Sequence, residues 1–228
     1  MTPETERPTK LVALDHALDG VADGAAVLIG GWGECGTPNR LIAALAESGL
    51  SDLTVIITGS APAGPLFEAN AVSHCITSFG SYAGSGGAAA PFERRLSEGA
   101  FTVELCSQGI LAERIRAGGA SIPAFYVEQR HVGPFRSTGE TRMIDGKDCV
   151  LETALHADLA IVGASIADPL GNLAWRDGER NFNEPMAYAA DLVVVEAFEL
   201  YDVGWLPAEH VMVPGLVVDR VLPPSPEA

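Results

Sequence analysis

The sequence predicts an α/β protein built on a mostly parallel sheet with helices on both faces. Three observations carry that prediction. Short apolar runs alternate with helix-patterned segments along most of the chain. The runs are apolar at successive positions, which marks strands buried on both faces. One run passes through a glycine-rich turn directly into a helix start, the joint from which parallel strand–helix layers are made. In order, residues 26–31 read as a buried strand, 37–48 as a helix and 53–58 as a strand. Residues 74–79 form another strand, 91–98 a helix, 102–106 a strand and 110–117 a helix. The runs 123–127, 159–164 and 192–196 complete the buried strands. Asp145-Gly146 and Gly171-Asn172 have the composition of hairpin turns, which adds an antiparallel element. The Gly/Ala-rich stretch 84–91 reads as a loop and 223–228 as a frayed tail. With no internal repeat, the expectation is a single domain over residues 1–228 with short polar termini.

Composition narrows the class. The 228 residues are 47% hydrophobic and 19% charged, enough to bury a core and too apolar for a disordered chain. A net charge of −16 argues against nucleic acid and anionic membrane surfaces as partners. Most of that acidity reads as a solvated face. Cys35, Cys75, Cys106 and Cys149 are too widely spaced for a zinc pattern or a Cys-x-x-Cys motif, so no metal is expected. Cys75 and Cys106 sit in apolar runs and read as reduced, buried thiols. The first ten residues are polar, and no apolar run approaches membrane-spanning length. The expectation is a soluble, cytoplasmic protein.

The most informative segment is 23–45. An apolar strand runs into Gly30-Gly31-Trp32-Gly33-Glu34-Cys35-Gly36. Thr37 then falls at an N-cap position and Pro38 at the first helical one. Such a turn presents backbone amides at a positive dipole end, a site for a phosphate, a carboxylate or a thioester oxygen. Gly31, Gly33 and Gly36 satisfy Gly-x-Gly-x-x-Gly, but a dinucleotide site also needs an acid closing the next strand. That strand ends Ile57-Thr58-Gly59, and Asp52 lies at its other end. No Gly-Lys-Ser/Thr follows, which excludes a Walker loop. A turn serving only close packing stays open at this point.

The run from Asp23-Gly24 through Gly30-Gly31-Trp32 to Gly36-Thr37-Pro38 resembles the signature of the α subunit of family I coenzyme A transferases. That signature is Asp-Gly, two residues, three apolar residues, Gly-Gly-Phe, three residues, Gly-x-Pro. Val103-Glu104-Leu105-Cys106-Ser107-Gln108-Gly109 and the following residues to Ala120 look like the corresponding stretch of 3-oxoacid transferases. Asp168-x-x-Gly171-Asn172 and Arg180-Asn181-Phe182-Asn183-x-Pro185-Met186 are similar too, so the likeness covers roughly residues 11–222. It implies the α subunit of a heteromeric acyl-CoA:carboxylate transferase, working with a β subunit in an α2β2 assembly. The nucleophile would be a glutamate of that β subunit. The substrates would be a coenzyme A thioester and a carboxylate, with no permanently bound cofactor. The alternative is a hydrolase, decarboxylase or ring-opening enzyme on the same scaffold.

The resemblance also implies roles. Gly30, Gly31, Trp32, Gly33 and Gly36 would approach the thioester, their amides supporting an oxyanion. Trp32 stands where the family has Phe, adding an indole donor, and reads equally as a core aromatic at the subunit interface. Gln108 matches a family glutamine placed to support the oxyanion, or else bonds backbone at a strand end. Thr58 and Gly59 stand where 3-oxoacid transferases carry the Asn-Asn pair that lines the acyl site. Val127-Glu128-Gln129-Arg130-His131 replaces a Thr/Gly-rich loop. Ser97-Glu98-Gly99 resembles the nucleophile motif only superficially and reads as a helix end with Gly99 as cap. Glu104 reads as structural, and Asn181 and Asn183 as turn organisers. The acidic chain implies that the CoA phosphates are held largely by the partner's basic residues.

Overall fold

The period-2 alternation of each strand sorts its side chains into two cores, one on either side of a sheet. In β1 (Ala26–Ile29), Leu28 joins a cluster with Ile56, Ile76, Ala160 and Val162. Its neighbours Val27 and Ile29 join a second cluster with Val55, Ile57, Leu159 and Ile161. The first core is covered by α4 (Gln108–Gly119), through Leu111 and Ile115, and by α5 (Asn183–Ala187), through Met186 and Ala187. The second is covered by α1 (Asn39–Glu47), α2 (Gly64–Glu68) and α3 (Ala90–Ser97), through Leu41, Leu45, Phe67 and Phe92. The architecture is therefore a mostly parallel sheet with helices on both faces. This computed structural model describes residues 9–80, 87, 89–131 and 139–225.

The remaining strands are β2 (Leu53–Gly59), β3 (Val72–Phe79), β4 (Thr102–Leu105), β5 (Ala124–Glu128), β6 (Thr141–Ile144) and β7 (Lys147–Thr153). They are followed by β8 (Ala157–Ala167), β9 (Leu173–Ala174), β10 (Ala190–Leu200) and β11 (Arg220–Leu222). The main sheet runs β11-β10-β8-β1-β2-β3-β4, parallel throughout, and β9 folds back antiparallel on β8. The chain thus builds outward from β1 to β4, then returns to lay β8 on the other side of β1. That reversal makes β1 and β8 the topological switch, and it places the loop after β1 at the crevice where open parallel sheets bind ligands.

One strand departs from expectation. The run 123–127 does not join the parallel sheet. Its strand β5 pairs antiparallel with β7 in a separate three-stranded sheet, β5-β7-β6, and all five of its residues are half-buried. A short apolar run does not reveal by itself whether one face or two will be covered. Both hairpins form as the sequence indicates. Asp145 and Gly146 take positive φ of 49° and 75° between β6 and β7. The Gly171 turn is held by Asp168, whose Oδ1 accepts from the amides of Leu170 and Asn172, each at 3.0 Å. In the 84–91 stretch, residues 84–86 and 88 lie outside the described residues, as do 226–228 of the tail.

Candidate functional site

The glycine loop is defined by how closely its neighbours approach it. A Cβ on Gly30 would fall 1.9 Å from Asn183 Oδ1, and one on Gly36 would fall 2.5 Å from the Glu179 carbonyl oxygen. Gly31 has φ of +100°, and a Cβ there would meet Thr37 Oγ1 at 2.3 Å. The buried Asn183 ties the joint together. Its Nδ2 donates to the carbonyls of Gly36 and Glu179, both at 2.8 Å, and its Oδ1 accepts from Gly163 N of β8 at 3.0 Å. Asn181 Nδ2 donates to the Cys35 carbonyl at 3.0 Å. Both asparagines therefore hold the loop, the role their sequence context suggests.

Three loop amides are already used. Gly30 N donates to Ile161 O, while Trp32 and Cys35 exchange amide–carbonyl bonds across the turn. The amides of Gly31 and Gly33 have no acceptor among the described residues. Thr37 does not cap the helix. Its hydroxyl donates to the Gly33 carbonyl at 2.6 Å, and α1 begins at Asn39 with no side-chain cap from its own flank. The cap comes from β10 instead. Glu196 Oε2 accepts from Arg40 N at 2.9 Å and from Leu41 N at 3.1 Å. The positive helix end is thus filled by the protein's own carboxylate and is not the anion site its sequence suggests. Burial pushes the Glu196 carboxyl above the usual carboxylate range, opposed by those two amides and the Arg40 guanidinium.

Beside the loop lies a cavity of about 230 Å³, lined by Trp32, Gly33, Thr58, Gly59, Ala61, Pro62 and Phe79. It opens where β1, β2 and β3 end side by side, since Ile29 pairs Ile57 and Gly59 pairs Phe79. Trp32 meets Phe79 edge-on at 5.7 Å and lies nearly parallel to Phe182 at 6.5 Å. The residue is still 41% exposed. The Thr58 hydroxyl donates to the Gly31 carbonyl at 3.3 Å, joining β2 to the loop. Among the described residues no carboxylate and no cation lines the cavity.

The structure brings Trp32, Gly33, Thr58 and Gly59 together, with Gly30, Gly31 and Gly36 shaping the loop behind them. Gln108 is not among the cavity's lining residues; it is the first residue of α4, just past edge strand β4, which pairs with the β3 strand whose Phe79 lines the cavity. Phe79, Ala61 and Pro62 were not anticipated. Phe79 could have been placed by aligning the ends of three parallel strands; the other two carry no signal of their own. Glu104 is structural: it pairs with the buried Arg114 at 2.5 Å, whose Nε also donates to Thr153 O at 2.8 Å. Glu98 pairs with Arg95 at the end of α3, where Gly99 takes a φ of +71°. Cys75 and Cys106 are buried and unbridged, their thiols pushed up to about 12 and about 11 by desolvation. Among the described residues no acidic, His or Cys cluster is grouped to hold a metal, and no helix is long and apolar enough to cross a membrane.

Comparison with known proteins fits this geometry. The coenzyme A transferase family profile matches residues 12–223. The A-type chain of succinyl-CoA:3-ketoacid coenzyme A transferase from Xanthomonas campestris is 42% identical over 214 residues, covering 92% of this chain and 87% of the relative. The alpha subunit of acetate CoA-transferase from Escherichia coli is 39% identical, covering 94% and 96%. Among solved structures, a variant of the decarboxylase AibA/AibB superposes with a TM-score of 0.82 at 22% identity, over 95% of this chain and 83% of that one, a likeness of fold. The chain belongs to the coenzyme A transferase family. Within that family it is of the α-subunit type.

Proposed function

We propose that this chain is the α half of a heteromeric acyl-CoA:carboxylate CoA-transferase, completed by a β subunit in an α2β2 assembly in the cytoplasm. The observation that carries this reading is the cavity itself. Gly33 lines it, the Gly31 and Gly33 amides have no acceptor among the described residues, and no carboxylate among those residues lines it, which supports a half-site that offers oxyanion support and takes its nucleophile from a partner. A glutamate from the β subunit would attack the donor thioester, expelling CoA thiolate and leaving an acyl-glutamyl anhydride. The thiolate then attacks the glutamyl carbonyl, releasing the donor acid and forming a glutamyl-CoA thioester. An acceptor carboxylate reverses the sequence and leaves with the CoA. The loop amides stabilise the oxyanion of each addition in a preorganised site. Gln108, at the start of α4 beyond the strand next to β3, would add side-chain support to that oxyanion from the β4 side of the cavity. Each described lysine and arginine already meets a carboxylate or a backbone carbonyl, which supports assigning the CoA phosphates to the partner.

Co-expression with the neighbouring reading frame, followed by transfer assays between pairs of acids, tests this. The expected result is a stable complex that moves CoA and is trapped as a glutamyl adduct by hydroxylamine or borohydride. A complex that moves CoA between no pair sinks the reading. One observation favours a second reading: Thr58-Gly59 in place of the family's Asn-Asn pair. It fits a hydrolase, decarboxylase or ring-opening enzyme, and predicts a partner that lacks the glutamate.

A further inference from the structure

Building on the transferase reading, we propose that the cavity beside the glycine loop receives an uncharged, apolar acyl chain of roughly four to seven carbons, and that the enzyme rejects dicarboxylic acids. The walls are the Trp32 indole, the Phe79 ring, the Pro62 ring and the Ala61 methyl. Of the polar lining, the Thr58 hydroxyl is already committed to the Gly31 carbonyl. The Gly33 amide is assigned, in the transferase reading, to the thioester oxygen and not to the chain end.

A second carboxylate in this cavity would lose its water and find no counter-charge among the described residues, a heavily penalised state. The described cations do not relieve it, because each is engaged elsewhere. The size argues the same way. At about 30 Å³ per water-sized group, 230 Å³ holds roughly seven or eight heavy groups, which suits a carbonyl and a medium chain. Trp32 sets the limit. Its contacts with Phe79 and Phe182 hold the indole as a fixed wall, and its exposed face is apolar area that a chain would cover.

The test uses the co-expressed complex and a panel of acceptors: acetate, butyrate, hexanoate, octanoate, succinate and adipate. For the straight chains, kcat/KM should rise about fourfold per methylene up to the hexanoate range and then level or fall. Adipate should lie at least about 100-fold below hexanoate. Trp32→Ala should move the optimum to longer chains, and Ala61→Arg should raise succinate relative to hexanoate. Both are read as ratios within one preparation, so partial loss of folded protein does not blur them. Transfer that is flat with chain length, or that favours succinate over hexanoate, overturns the proposal while leaving the transferase reading intact. A complex that transfers to no acceptor overturns the transferase reading itself, and this proposal with it.

Discussion

Glu196 is the residue whose role most exceeds its sequence context. It sits in a strand among valines, yet it closes the N-terminus of a helix more than 150 residues away in the chain. Both amides bond the same oxygen, so a Gln side chain can keep the cap while removing the charge. The sign of its pH effect follows from its raised pKa. The folded state binds this proton more tightly than the unfolded state does. The contribution is therefore most favourable below the ordinary carboxylate range and is lost as pH rises through the folded value. In urea unfolding across pH 4 to 8, Glu196→Gln should remove that decline, so wild type minus variant falls with rising pH. Glu196→Ala should cost about 1–2 kcal/mol. Thr37 explains why the cap had to come from afar. A threonine before a proline reads as an N-cap, but here its hydroxyl closes the glycine loop instead, and no local pattern distinguishes the two uses.

At the scale of elements, the packing of α4 shows how glycines act by proximity. Gly118 lies against the chain that leads into β8: a Cβ there would fall 1.9 Å from Leu155 O. Gly119 meets Tyr188 in the same way, at 2.8 Å. Gly109, in the first turn of the same helix, has nothing within 4 Å. Gly118→Val should therefore cost about 3 kcal/mol or more through overpacking. Gly109→Ala should stabilise by up to about 1 kcal/mol through helix propensity. Denaturant midpoints of the two variants check the contrast, and equal effects would count against it. Strands β9 and β11, two and three residues long, leave too short a run to read, whereas the longer strands of the main sheet were legible because burial writes apolar runs. Strand β5 was not, because five half-buried residues look the same in sequence whichever sheet they join.

The whole molecule carries a charge of −16 on a fold whose described cations are each already engaged. Self-repulsion should then lower the stability of the isolated chain at low ionic strength. Its melting temperature should rise between 0.01 and 0.1 M salt, as the screening length falls from about 30 to about 10 Å. A melting temperature independent of salt would mean that the local pairs already balance the field. The sequence by itself determined the layer class, the glycine loop and the family, since these are carried by local periodicity and by motifs of contiguous residues. Only the tertiary structure decided what fills the helix end, which strand lies apart, and which residues share the cavity. Glu196, Asn183 and Phe79 reach the loop from other strands and helices. Contacts of that kind are set by strand order and register, which no stretch of sequence records locally.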